Sequence, residues 1–165
     1  MVDAKLTKAA QRVLEACRAN GLKIATAESC TGGLVVAALT EIAGSSDVVD
    51  RGFVTYSNGA KQAMLAVPAA TLRRYGAVSP QIALAMARGA LARSDADLAV
   101  AITGVAGPGG GTAKKPVGLV YLAALRRDGR RVHREKRYGK IGRHKVRTRS
   151  VAEALAMLEL LAGGG

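Results

Sequence analysis

The run Leu22 to Ala27 has the apolar character of a buried strand, and it gives way within a few residues, Glu28-Ser29-Cys30-Thr31-Gly32-Gly33, to a second apolar run spaced as a helix from Gly33 to Ala43 and closed by Gly44. A strand that turns directly into a helix commits the chain to layered α/β packing, because the helix has to cover the sheet it has just left. The junction also has chemical potential. A serine sits at the strand exit, and the first N–H groups of a helix lack intrahelical partners and attract negative charge. Thr31, Gly32 and Gly33 are therefore candidate backbone donors for an oxyanion or a phosphate, and Ser29 a candidate nucleophile. The plainer reading is a hydroxyl that only caps the helix.

The rest of the chain repeats the alternation. Leu6, Ala9, Ala10, Val13, Leu14 and Cys17 recur at three- and four-residue spacing, so a first helix is predicted that Asn20-Gly21 ends. Val48 to Ser57 carries the β-branched and aromatic content of a strand, with a bulge expected at Gly52 and Asn58 positioned to cap the short helix that follows through Leu65. Pro68 opens another short helix to Arg74. Ser79-Pro80 starts a longer one to Arg93, serine as N-cap and proline at the first helical position. Asp97 to Thr103 returns to strand, Val117 to Leu125 and Arg131 to Tyr138 form a hairpin around Asp128-Gly129, and Arg143 to Leu161 is a final helix after which Gly163 to Gly165 frays. The alternation of strands and helices predicts an α/β sandwich in one domain, residues 1–165, around a sheet that the Asp128-Gly129 hairpin makes mixed.

Composition narrows the class. At 165 residues and 49% hydrophobic content the chain can bury one substantial core, and with aromatics at 3% that core is built from Ala, Val, Leu and Ile. Cys17 and Cys30 form no CxxC, and no His-rich cluster accompanies them, so a reduced protein without metal or cofactor is expected. The N-terminal segment is polar and amphipathic, and no run approaches a membrane span, which points to the cytoplasm. The net charge of +13 is local: twelve Lys or Arg face only Asp128 and Glu135 between Arg126 and Arg149, leaving 13 basic and 10 acidic residues elsewhere. Basic residues on a strand are a common guard against edge pairing. Nucleic acid is the rival explanation, disfavoured because Tyr138 is the only aromatic available for base stacking there.

Two further stretches carry chemistry. The segment Gly104 to Pro116 is too glycine-rich for a regular element and matches neither the Walker A nor the GxGxxG pattern. Its bare backbone suits a phosphate or ribose, and equally a surface loop. Tyr56, Ser57 and Asn58 leave the second strand one helical turn before Lys61, and a lysine serves as base if desolvation lowers its pKa. No SxxK or GxSxG pattern surrounds Ser29, so any Ser29–Lys61 partnership has to be made by the fold. His133 and His144 both lie inside the basic segment, away from any serine motif.

Taken together, Thr26-Ala-Glu-Ser-Cys-Thr-Gly-Gly33, Tyr56-Ser-Asn-x-x-Lys61, Gly76-x-Val-Ser79, Ile102-Thr-Gly-x-Ala-Gly-Pro-Gly-Gly-Gly111 and Lys115-Pro-Val-Gly118 resemble the CinA C-terminal domain family, whose characterised members are nicotinamide-nucleotide amidohydrolases. The resemblance spans roughly Leu6 to Leu161. It implies a three-layer α/β/α sandwich with a mixed, largely parallel central sheet, and a usually dimeric, metal-free enzyme that converts nicotinamide mononucleotide to nicotinate mononucleotide and ammonia. On that footing Ser29 is the nucleophile, and Lys61, helped by Tyr56, is the base. Asn58, Thr103, Gly104, Gly107, Gly109, Gly110, Gly111, Lys115 and Arg147 are the expected substrate contacts, with the phosphate held either at the glycine loop or at the Thr31–Gly33 helix start. One departure stands out: where the family tends to have Gly-Asp-Arg before a further arginine, this chain reads Gly142-Arg143-His144 with Arg147 kept.

Overall fold

The computed structural model describes residues 2–163. The elements run α1 (Ala4–Asn20), β1 (Ile24–Glu28), α2 (Leu34–Thr40), a single 3-10 turn (Ser45–Asp47), β2 (Val49–Val54), α3 (Asn58–Leu65), α4 (Ala69–Tyr75), α5 (Pro80–Ala92), β3 (Leu98–Gly104), β4 (Leu119–Arg126), β5 (Arg131–Arg137) and α6 (Arg143–Ala162). Of the three terminal glycines expected to fray, Gly164 and Gly165 lie outside the described residues.

The five strands form one sheet in the order β2-β1-β3-β4-β5. β1 pairs in parallel with β2 and β3, whereas β3–β4 and β4–β5 are antiparallel. The sheet is mixed as expected, with the parallel share one half rather than the larger part, because the β4–β5 hairpin joins β3 by the β4 strand running backwards. Helices cover both faces. Val13, Leu14 and Cys17 of α1, Val35 and Leu39 of α2, and Val151, Leu155 and Leu158 of α6 pack with Ile24, Val100, Ile102 and Leu122 on one side. Leu65, Leu72, Ile82, Met86 and Ala90 meet Ala25, Ala27, Ala99, Ala101 and Ala123 on the other. The alternation of Ala with larger residues along β1 (Ile24, Thr26, Glu28) and β3 (Leu98, Val100, Ile102) follows from this: successive strand residues face opposite layers, and the alanine face lets α5 approach closely. At the crossing of α5 with the end of α3, Gly89 is required, since a Cβ there would collide with the Leu65 carbonyl.

Local chemistry sets the boundaries. Asp3 accepts from Lys5 N at the start of α1, Gly21 closes that helix in the left-handed conformation, and Ser79 Oγ accepts from Ile82 N ahead of Pro80. Two expectations are corrected. The cap of α3 is Ser57, whose Oγ accepts from Ala60 N at 3.0 Å, and Asn58 is already helical. Strand irregularity lies not at Gly52 but where Ile24 pairs with Val49 and Ala25 with Arg51, leaving Asp50 as the extra residue. Gly52 instead allows close packing, its missing Cβ lying 2.9 Å from Thr26 Oγ1 and 3.1 Å from Val36.

The basic hairpin sits at the sheet edge. β5 alternates exposed and half-buried residues, and its charges find local partners: Arg134 and Lys136 both meet Glu153 of α6, and Arg137 meets Glu135. Arg127 donates to the carbonyls of Leu91 and Ala96, tying the hairpin to the end of α5.

Candidate active site

In open α/β sheets a ligand crevice forms at the carboxyl ends of adjacent strands whose connections leave in opposite directions. β1 and β3 meet this condition, β1 exiting toward β2 and β3 toward β4. Ser29 is the first residue beyond β1, and its N–H still donates to Ile102 O of β3 at 3.0 Å, so the sheet ladder itself fixes the serine backbone. The turn that follows needs positive φ at Gly32 and Gly33, 60° and 97°.

The helix start does hold an anion, and the anion is the chain's own. Glu28, fully buried, accepts from Thr31 Oγ1 at 2.6 Å, Gly33 N at 3.1 Å, Val35 N at 3.0 Å and Val36 N at 3.0 Å. Gly32 N donates to Ser29 O at 3.0 Å. The expected use of Gly32 and Gly33 as oxyanion or phosphate donors is therefore corrected, because both N–H groups are already bonded within the protein; at Thr31 the bond to Glu28 engages the hydroxyl and not the backbone N–H that was expected to serve as donor. A short helix whose first N–H groups are buried needs such a partner, and a carboxylate from the preceding strand supplies it.

Lys61 reaches the serine from the opposite layer. It is 1% exposed, and its Nζ donates to Ser29 Oγ at 3.1 Å and to Thr55 O at 3.0 Å. An ammonium in that position has lost its water, and burial pushes the Lys61 amine below its ordinary value. Cys30 lies beside Ser29, but burial raises its thiol to about 12, so it carries no thiolate near neutral pH.

Ser29, Cys30 and Lys61 open into a cavity of about 220 Å³ whose other walls come from Tyr56 and Asn58, from Ala77 and Val78, and from Thr103, Gly104, Ala106 and Arg143. Tyr56 is 63% exposed at the mouth, and its hydroxyl accepts from Arg143 Nη2 at 2.9 Å; Arg143 Nη1 donates to Gly107 O at 3.0 Å. Thr103 Oγ1 is turned to the Ala77 carbonyl at 2.7 Å. Among the described residues no carboxylate lines this cavity, whereas a lysine and an arginine do.

Among the expected site residues, the fold thus gathers Ser29, Lys61, Tyr56, Asn58, Thr103 and Gly104 around one cavity. It does not bring the remainder there. Gly107 and Gly111 are packed on Val117, 2.6 Å and 2.7 Å from where a Cβ would stand, and Gly109 and Gly110 are exposed. Lys115 donates to the Tyr75 carbonyl, and Arg147 donates through Nε to Cys30 O and through Nη2 to Thr31 O, each at 3.1 Å. Arg143, Ala77 and Val78 were not anticipated as cavity residues. For Arg143 a signal existed, since it lies at the departure from the family pattern; for Ala77 and Val78 the side chains themselves carry none.

The comparisons agree with this architecture. The model of the CinA C-terminal domain matches residues 6–162. The solved structure of the competence/damage inducible protein CihA from Agrobacterium tumefaciens is 56% identical with a TM-score of 0.96, each chain covering 98% of the other. The nicotinamide-nucleotide amidohydrolase PncC of Escherichia coli strain K12 is 45% identical over 158 residues, which is 96% of this chain and 95% of that protein. A CinA-like protein of Colwellia psychrerythraea is 56% identical over 114 residues, 69% of this chain and 26% of that protein, so the match spans about a quarter of that relative's length. With a family match across nearly its whole length and near-superposition on a solved member, the chain belongs to the CinA C-terminal domain family.

Proposed function

We propose that this chain is a nicotinamide-nucleotide amidohydrolase, releasing ammonia from nicotinamide mononucleotide by a Ser29 nucleophile and a Lys61 base. The observation that carries the reading is the buried Lys61 amine 3.1 Å from Ser29 Oγ at the cavity floor. The name of the Escherichia coli relative states this activity for that protein.

In the neutral amine one Lys61 N–H still donates to Thr55 O, and the lone pair is left to accept the Ser29 hydroxyl proton. Ser29 Oγ then attacks the carboxamide carbon. Collapse of the tetrahedral species breaks the C–N bond, with the proton passing from Lys61 to the departing ammonia. Water, deprotonated by the same amine, resolves the acyl-enzyme to nicotinate mononucleotide. Tyr56 and Arg143 at the mouth, with no carboxylate among the described residues that line the cavity, suit the nucleotide phosphate. The cytoplasmic setting and the dimer belong to the same proposal, the latter checked by sedimentation; no described helix is long and apolar enough to cross a membrane.

Ammonia release from nicotinamide mononucleotide, compared between the wild type and Ser29→Ala, tests the reading. Loss of one hydroxyl should lower turnover by ~10⁴-fold or more while costing about 1 kcal/mol of stability, the worth of its hydrogen bond with Lys61 Nζ, since Ser29 does not cap α2. Substantial turnover by Ser29→Ala would remove the serine from the mechanism.

A further inference from the structure

The turn that carries Ser29 is gripped from two sides by opposite charges. From within, the fully buried Glu28 carboxylate takes up its donors: the Thr31 hydroxyl and the N–H groups of Gly33, Val35 and Val36. From α6, the half-buried Arg147 guanidinium takes up its acceptors, the carbonyls of Cys30 and Thr31. Its Nη2 would lie 3.4 Å from a Cβ at Gly32, so the guanidinium is laid along the turn itself. Neither side chain lines the cavity.

We infer that Glu28 and Arg147 are positioning residues, a two-sided clamp that holds the turn so that Ser29 Oγ faces Lys61, and that neither touches the substrate. This inference rests on the proposed serine chemistry. What the clamp supplies is rigidity. Two glycines with positive φ leave the turn without side chains of its own to hold it, and peptide planes next to the serine are free to rotate unless both their donors and their acceptors are engaged. Displacing a reacting atom by about 1 Å can cost on the order of 10²-fold in rate. The Arg147 guanidinium offers two donors in a fixed fork to two successive carbonyls, a geometry that the single point charge of lysine does not reproduce. α6 is packed on the sheet through Val146, Val151, Leu155 and Leu158, so the fork is anchored in the core.

The experiment is the rate of Ser29 modification by diisopropyl fluorophosphate, in which the serine Oγ–P bond forms, the P–F bond breaks and the serine proton is lost to base. It is paired with the affinity for the product nicotinate mononucleotide, measured by calorimetry. Arg147→Met is expected to slow labelling by about tenfold or more while product affinity stays within about twofold, and Arg147→Lys should fall between Met and wild type. Glu28→Gln, of nearly equal volume, puts an amide N–H₂ against backbone N–H groups and is expected to give the same signature. All are measured well below the melting temperature, where a purely structural role would leave the labelling rate unchanged. Wild-type labelling rate with product affinity lost in Arg147→Met would make Arg147 a substrate contact and overturn the inference. Absence of labelling at Ser29 in the wild type would instead overturn the serine chemistry itself, whatever the variants do.

Discussion

After β1 the chain takes five residues, 29–33, to reach α2; after the neighbouring β3 it takes fourteen, 105–118, to reach β4. Both connections leave parallel strands at the same end of the sheet, both carry glycine, and both looked from composition like places where bare backbone meets a ligand. Glycine is used differently in each. In the first, positive φ at Gly32 and Gly33 bends the chain sharply enough for Glu28 to reach the start of α2 and for Ser29 to face the crevice. In the second, Gly107 and Gly111, with Gly104 at the end of β3, allow the chain to lie against 117–120, where any Cβ would meet backbone or valine within 3 Å. Glycine content therefore marks close approach, and the approaching group here is the chain itself. What faces the cavity is side chains, above all Ser29, Lys61, Tyr56, Thr103 and Arg143.

The comparison is tested hardest at the first connection. Lys61→Arg keeps the charge but cannot yield a proton near neutrality, so a base role predicts single-turnover rates lower by ~10³-fold with product affinity largely retained. In the wild type the rate should rise with pH, because the reactive form is the neutral amine, along a limb set by a lysine that burial holds below its ordinary value of 10.5. Substantial turnover by Lys61→Arg with the alkaline limb unchanged would remove Lys61 as the base. Next in size, Arg143→Ala should raise KM for nicotinamide mononucleotide by on the order of tenfold, the worth of a charge-assisted contact, without affecting a riboside substrate that lacks the phosphate. Equal losses for both substrates would place Arg143 at the carboxamide end.

The second connection is probed by a pair of glycines. Gly107→Ala, at φ +82 and 2.6 Å from Val117 Cγ1, is expected to cost about 3 kcal/mol and to lower Tm by roughly 10 °C. Gly109→Ala has open space around it and should leave stability within about 0.5 kcal/mol and KM unchanged. A tenfold rise in KM for Gly109→Ala would show that the loop cradles the nucleotide after all.

Much of the fold was legible in the chain. The Ser79-Pro80 start of α5, the Asn20-Gly21 end of α1 and the Asp128-Gly129 hairpin are local events, decided by caps, ring constraints and positive φ within a few residues, and each stands where the sequence puts it. Ser29 at a strand exit was legible for the same reason. Asn58 was misread as a cap because the adjacent Ser57 is an equally good one, and only the backbone angle at the strand end chooses between them.

The partners of charged groups were not legible, because charge pairing acts through space. Lys61 reads in the sequence as a surface lysine on a short helix; it is buried because α3 lies on the alanine face of the sheet and points it at a serine 32 positions earlier. Glu28 is an acidic residue at a strand end until the turn folds it onto four donors, and Arg147, 116 positions beyond Thr31, reaches that turn only because α6 crosses the same end of the sheet. Local steric and hydrogen-bonding preferences thus determined the elements and their order from the sequence by itself. Which ionisable groups lose their water, and to whom they turn when they do, was decided only when the two helical layers closed on the sheet, since desolvation is a property of the packed core and not of any short stretch of chain.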